Sequence, residues 1–196
     1  TLAGEDLTVS CLLEGGDDPH TFSLTPRQTR LLETADHVFL TGLDLTPALA
    51  GLPSSERVSR LGEHPEVRPL ALTAEEGHEH DGGSDPGTDP GTDADTDHEN
   101  GHGGHDHGSG IDPHVWHDPR NTAAMADGVA EVMARLQPQQ AGAIARRRDE
   151  AAALLGEMDR WAAAAFASVP GSQRVLASRH RAFATLADRY GLEDIA

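Results

Sequence analysis

The segment from Gly77 to Gly110 constrains this chain most. Its 34 residues include six His, nine Asp or Glu and ten Gly, but only one apolar residue, Ala94, and neither Lys nor Arg. Within it, Ser84-Asp85-Pro86-Gly87-Thr88-Asp89-Pro90-Gly91-Thr92-Asp93 is a near repeat. A tract with nothing to bury cannot offset the entropy of ordering, so disorder is expected. Any packed core must come from the 162 residues on either side. If those flanks share one sheet, the tract is an insertion rather than a linker between domains. It also carries half of the net charge of −18.

That charge narrows the function. Phosphate contacts need clustered Lys or Arg, and the longest basic run, Arg146-Arg147-Arg148, is followed directly by Asp149 and Glu150. The run reads as a solvated helix face, and no nucleic-acid partner is expected. No apolar run approaches a membrane span. The single cysteine, Cys11, excludes an internal disulfide and a thiolate zinc cluster. It lies in the alternating stretch Leu7 to Leu13 and is expected to be a buried strand residue. The first residue is not Met and no leader is visible. The sequence therefore reads as mature or trimmed, which does not argue for the cytoplasm.

The remaining pattern alternates strands with helices. Leu7, Val9, Cys11 and Leu13 suggest a strand. Thr25-Pro26-Arg27-Gln28 predicts a capped helix start with proline at its first position. Val38-Phe39-Leu40 reads as a short strand, Thr46-Pro47 as a helix start, and Val67 to Leu72 as an edge strand interrupted by Pro69. Asp118-Pro119 opens a helix with Met125, Val129, Val132 and Leu136 along one side. Pro138 opens a longer one carrying Ile144, Ala151, Leu155, Met158, Ala162 and Phe166, which Pro170-Gly171 stops. A strand around Val175 and Leu176 and a final helix ending at Gly191 follow. The expectation is an α/β layer structure.

Three histidines hold equivalent positions. His20 follows the strand ending at Leu13 and precedes the helix at Thr25, His114 lies in the loop before the helix at Pro119, and His180 follows the strand ending at Ser178 and opens the last helix. In open α/β sheets that end of the strands forms the ligand cleft. Two of them recur in one tripeptide, Asp18-Pro19-His20 and Asp112-Pro113-His114. Proline restricts the backbone before each imidazole, and Asp18 or Asp112 stands near enough to accept the second ring N–H, as around a metal-bound histidine. Three imidazoles suit zinc and leave one tetrahedral position. His37, His64 and His117 read as structural residues.

These blocks resemble, in order, the zinc/manganese substrate-binding proteins of bacterial ABC transporters. The matching residues are Asp18-Pro19-His20 with Thr25-Pro26, Ala35-Asp36-His37-Val38-Phe39-Leu40-Thr41-Gly42, Asp112-Pro113-His114-Val115-Trp116-His117-Asp118-Pro119-Arg120-Asn121, and His180-Arg181-Ala182-Phe183 with Arg189-Tyr190-Gly191-Leu192. The resemblance implies two α/β lobes joined by a long helix. It puts an N-terminal lobe at 1–136 with the insert at about 77–110, the linking helix at 137–169 and the start of a C-terminal lobe at 170–196. His20, His114 and His180 then look like three of four metal ligands, the fourth being a carboxylate in the C-terminal lobe beyond position 196. The family normally also has a strand and helix ahead of Leu7.

The resemblance further implies a monomeric, non-enzymatic carrier of Zn²⁺, periplasmic or extracellular, with a membrane anchor allowed in the full-length protein. An ABC transporter permease is its partner, and a zinc metallochaperone is a further candidate. Three nitrogen donors favour zinc over manganese, which prefers oxygen. His78, His80, His98, His102, His105 and His107 would hold auxiliary zinc in the insert. The alternatives are a metal-dependent adhesion protein of the same family and a three-histidine zinc hydrolase. The hydrolase lacks a His-Glu-x-x-His helix and a fixed general base, since Glu79 and Glu99 lie in the insert.

Overall fold

A computed structural model describes residues 2, 7–53, 55–71 and 110–195. Helix α1 (Pro26–Thr34) begins where its cap dictates: Gln28 N–H donates to the Thr25 hydroxyl, and the Gln28 side chain accepts from the Thr25 N–H. Strand β1 (Val38–Leu40) follows, then α2 (Pro47–Ala50) and strand β2 (Val58–Arg60). β1 and β2 pair in parallel, with Val38 opposite Val58. Such pairing requires a crossover, supplied here by α2 and its loops. Between them, Gly42 adopts φ +78°, and Leu43 and Asp44 continue the left-handed turn. A side chain at Gly42 would also meet Arg60 Cβ at 3.0 Å.

Helix α3 (Pro119–Leu136) is capped by Asp118, whose side chain accepts from the Arg120 N–H. A 3₁₀ turn leads into the long helix α4 (Ala141–Ala167). The two pack through Ala130, Met133 and buried Ile144, with Leu2, Leu7 and Val129 around them. A second core joins Val67, Val115 and Ala124. Beyond its packed start, α4 turns Leu154, Met158 and Trp161 to solvent, with Trp161 74% exposed. Met158, which the sequence pattern places on one face with Ile144, is 51% exposed. Strand β3 (Val175–Ala177), helix α5 (Ala184–Tyr190) and strand β4 (Glu193–Ile195) form a second parallel β-α-β unit. Gly191 ends α5 at φ +67°, the left-handed cap its position suggested.

Two expected strands are not strands. Leu7 to Leu13 is irregular. A strand exists only with a ladder partner, and none pairs with this segment among the described residues. The Gln28 amide instead bonds the Leu12 carbonyl, Val9 is 72% exposed, and Cys11 is exposed rather than buried. Val67 to Leu70 fails for a different reason. Buried Asn121 accepts from the Arg68 N–H and donates to the Arg68 carbonyl, occupying the groups a ladder would use. Ala71 alone forms an antiparallel bridge, to Ile111, and Leu72 lies outside the described residues. The sequence pattern did not mark β2 or β4.

Candidate metal centre

Each histidine of the triad lies ahead of the helix its sequence position suggested, but the strand expected before His20 is not formed. His20 follows the irregular segment before α1. His114 sits in the turn leading to α3, and His180 lies between β3 and α5. The structure brings all three together. The Nε2 atoms of His20 and His180 lie 3.2 and 3.1 Å from His114 Nε2. One donor nitrogen from each ring falls within 4.8 Å of the others. His114 is the central member and is 3% exposed.

The surroundings of His114 fix its tautomer. Its Nδ1 lies 2.8 Å from Asp112 Oδ1, which also accepts from the His114 N–H at 2.9 Å. The other oxygen, Oδ2, accepts from the Thr185 hydroxyl on α5 at 2.9 Å. Asp112 is fully buried. Burial pushes its carboxyl up, but the hydrogen bonds from His114 and Thr185 outweigh this and hold it below the usual value. An ionised carboxylate only accepts, so Nδ1 of His114 carries the proton and Nε2 presents its lone pair to the centre.

The first tripeptide is built differently. Asp18 accepts from the backbone N–H of His20 at 3.0 Å and from the Thr21 hydroxyl at 3.0 Å, shaping the turn in an exposed loop. His37, His64 and His117 stand outside the triad. His37 Nε2 meets the Ser59 hydroxyl across β1 and β2 at 2.9 Å. His64 Nδ1 accepts from the Glu66 N–H at 3.4 Å. The His117 ring packs between Trp116 and Phe183. Burial, then His114, lowers its pKa from the ordinary histidine value, against a pull from Asp112. The six insert histidines, from His78 to His107, lie outside the described residues.

Two supporting residues carried no mark in the sequence. Thr185 looks like an ordinary helix residue, yet it donates to Asp112 across 73 positions. Asp159 on α4 receives Arg189 and Tyr190 of α5. Both contacts join elements far apart in the chain, so no local pattern reports them.

Three imidazole nitrogens at these separations, with a carboxylate orienting the central ring, define a protein able to hold a metal ion. The chain belongs to the family described as "ZnuA: Zinc-uptake complex component A periplasmic", which matches residues 1–196. It is 35% identical over 192 residues to the high-affinity zinc uptake system protein ZnuA of Paracoccus denitrificans, covering 93% of this chain and 57% of that protein. It is 23% identical to the manganese-binding lipoprotein MntA of Bacillus subtilis, covering 98% of this chain and 54% of that one. The periplasmic zinc binding protein TroA from Treponema pallidum superposes with a TM-score of 0.76 at 23% identity, over 100% of this chain and 60% of that one. The chain therefore spans little more than half the length of these relatives. Its fold is one lobe and the long helix of the two-lobed periplasmic metal-binding architecture. The family is one of solute-binding transport components rather than enzymes. No described helix is long and apolar enough to cross a membrane.

Proposed function

We propose that this chain captures Zn²⁺ outside the cytoplasm, as cargo, and that the protein delivers it to the membrane permease of an ABC transporter. The observation carrying this reading is the convergence of the His20, His114 and His180 nitrogens. Two ligands on one tetrahedral zinc, each about 2.0–2.1 Å from the ion, lie about 3.3 Å apart. The His114 nitrogen lies 3.2 and 3.1 Å from its two neighbours. A carboxylate of the second lobe, which the family resemblance implies, would complete the tetrahedron. On this reading residues 1–136 are the first lobe, 137–169 the linking helix and 170–196 the start of the second lobe.

Zinc is favoured over manganese because the three donors are nitrogens. Hydrolysis is disfavoured because the adjacent carboxylate, Asp112, is buried and committed to His114 and Thr185, leaving it unable to serve as a base. Competition titration with a chromophoric chelator tests the assignment. Zinc should bind at least a hundredfold more tightly than manganese. Each of His20→Ala, His114→Ala and His180→Ala should cost more than tenfold, about 1.4 kcal/mol or more. Wild-type affinity in any two of these variants would overturn the ligand set. Delivery is tested by zinc-limited growth of a strain lacking the protein, which the wild type should restore and the triple variant should not.

A further inference from the structure

Helix α5 has only seven residues. A helix that short is not stable alone, so external anchors must fix its orientation. His180 hangs on the loop between β3 and this helix, and the place of its ring depends on where α5 sits. One anchor is the Thr185 hydroxyl on Asp112. A second polar anchor is at the far end. Asp159 of α4 accepts from Arg189 Nε at 3.0 Å and Nη2 at 2.6 Å, and from the Tyr190 hydroxyl at 3.1 Å. Arg189 also stands 3.8 Å from Asp118, the residue that caps α3 just after His114 and His117. The Asp159 carboxylate thus meets α5 from the long helix, and Arg189 relates both to the start of α3.

We propose that Asp159 is a positioning residue for the metal centre, holding α5 through Arg189 and Tyr190 so that His180 stays against His114. It touches no ligand nitrogen and acts along the helix. The arrangement suits the task because a bidentate guanidinium–carboxylate pair fixes direction as well as distance. Tyr190, its pKa raised to about 12 by burial and then by Asp159, remains a donor at any physiological pH. This inference rests on the metal-binding reading above.

The test is a double-mutant comparison of zinc affinity, with the visible spectrum of the Co²⁺-substituted protein as a second readout. Asp159→Ala should weaken zinc about tenfold and shift the Co²⁺ bands toward those of His180→Ala. Asp159→Asn, which keeps one acceptor oxygen, should fall between it and the wild type. Asp159→Ala should add little to the loss already caused by His180→Ala, but should add fully to that of His20→Ala. An unchanged Co²⁺ spectrum, or full additivity with His180→Ala, would overturn the proposal even if the melting temperature fell. Should the alanine variant not fold, the same comparisons with Asp159→Asn decide the matter. Failure of the wild type to bind Zn²⁺ or Co²⁺ would instead refute the metal-binding reading.

Discussion

Asp18-Pro19-His20 and Asp112-Pro113-His114 are the same three residues in different surroundings. In the first, the carboxylate lies in an exposed loop and its hydrogen bonds to the His20 N–H and the Thr21 hydroxyl shape a turn. In the second, the carboxylate is fully buried, orients the imidazole and reaches a helix 73 positions away. Both place an imidazole nitrogen at the same centre. Local sequence therefore supplies the ligand and restrains the backbone before it, while burial decides how firmly the ring is held. A buried group that loses its partner costs its full desolvation, whereas an exposed one turns to water.

Substitutions can break or sharpen that contrast. The largest expected effect is His114→Ala, because its Nε2 faces both other rings. Zinc affinity should fall at least a hundredfold in a chelator competition titration. Asp112→Asn comes next. Losing the charged acceptor should weaken zinc by about 10–100-fold and lower stability by about 1–3 kcal/mol in urea unfolding. Asp18→Asn should cost threefold or less in affinity; a loss equal to that of Asp112→Asn would erase the distinction between the two tripeptides.

A third carboxylate extends the comparison to pH. Hydrogen bonds from Arg189 hold Asp159 below its ordinary value of 3.8, with burial opposing and Tyr190 adding to the shift. A depressed carboxyl stabilises the fold fully above its unfolded pKa, and that stability is lost as pH falls through the lower folded value. Urea unfolding of the metal-free protein from about pH 6 to pH 3 should therefore show a shallower acid decline for Asp159→Asn than for the wild type. An equal decline would remove Asp159 from the acid-sensitive contacts. The smallest effect belongs to His37→Ala, which loses a hydrogen bond to Ser59 but should leave zinc affinity unchanged.

Elements whose instructions are local were readable in the sequence. The Thr25–Gln28 capping box, the Asp118-Pro119 start and the Gly191 stop each act within a few residues. The convergence of the triad was readable from the repeated Asp-Pro-His and from the place of each histidine just ahead of a helix, although the strand expected before His20 does not form. Strands β2 and β4 were not, because their polar members Ser59, Arg60, Glu193 and Asp194 become strand only through a partner. Val67 to Leu70 misled for the converse reason: its apolar residues look like a strand, but Asn121 occupies the backbone. Thr185 and Asp159 were hidden because their contacts span 73 positions and about thirty, distances at which spacing carries no signal.

The bridge between Ala71 and Ile111 has a consequence for how this chain can vary. It brings the two ends of the intervening stretch side by side, and the Asp112 N–H on the Leu70 carbonyl fastens them again. Closure entropy grows slowly with the number of residues between two fixed ends, each doubling costing only about 0.6 kcal/mol. The same antiparallel geometry can be closed by a two-residue turn. The stretch can therefore lengthen, shorten or change composition over generations while the carboxylate and imidazole just after it keep their places. Descendants can thus vary this stretch without rebuilding the histidine triad beside it.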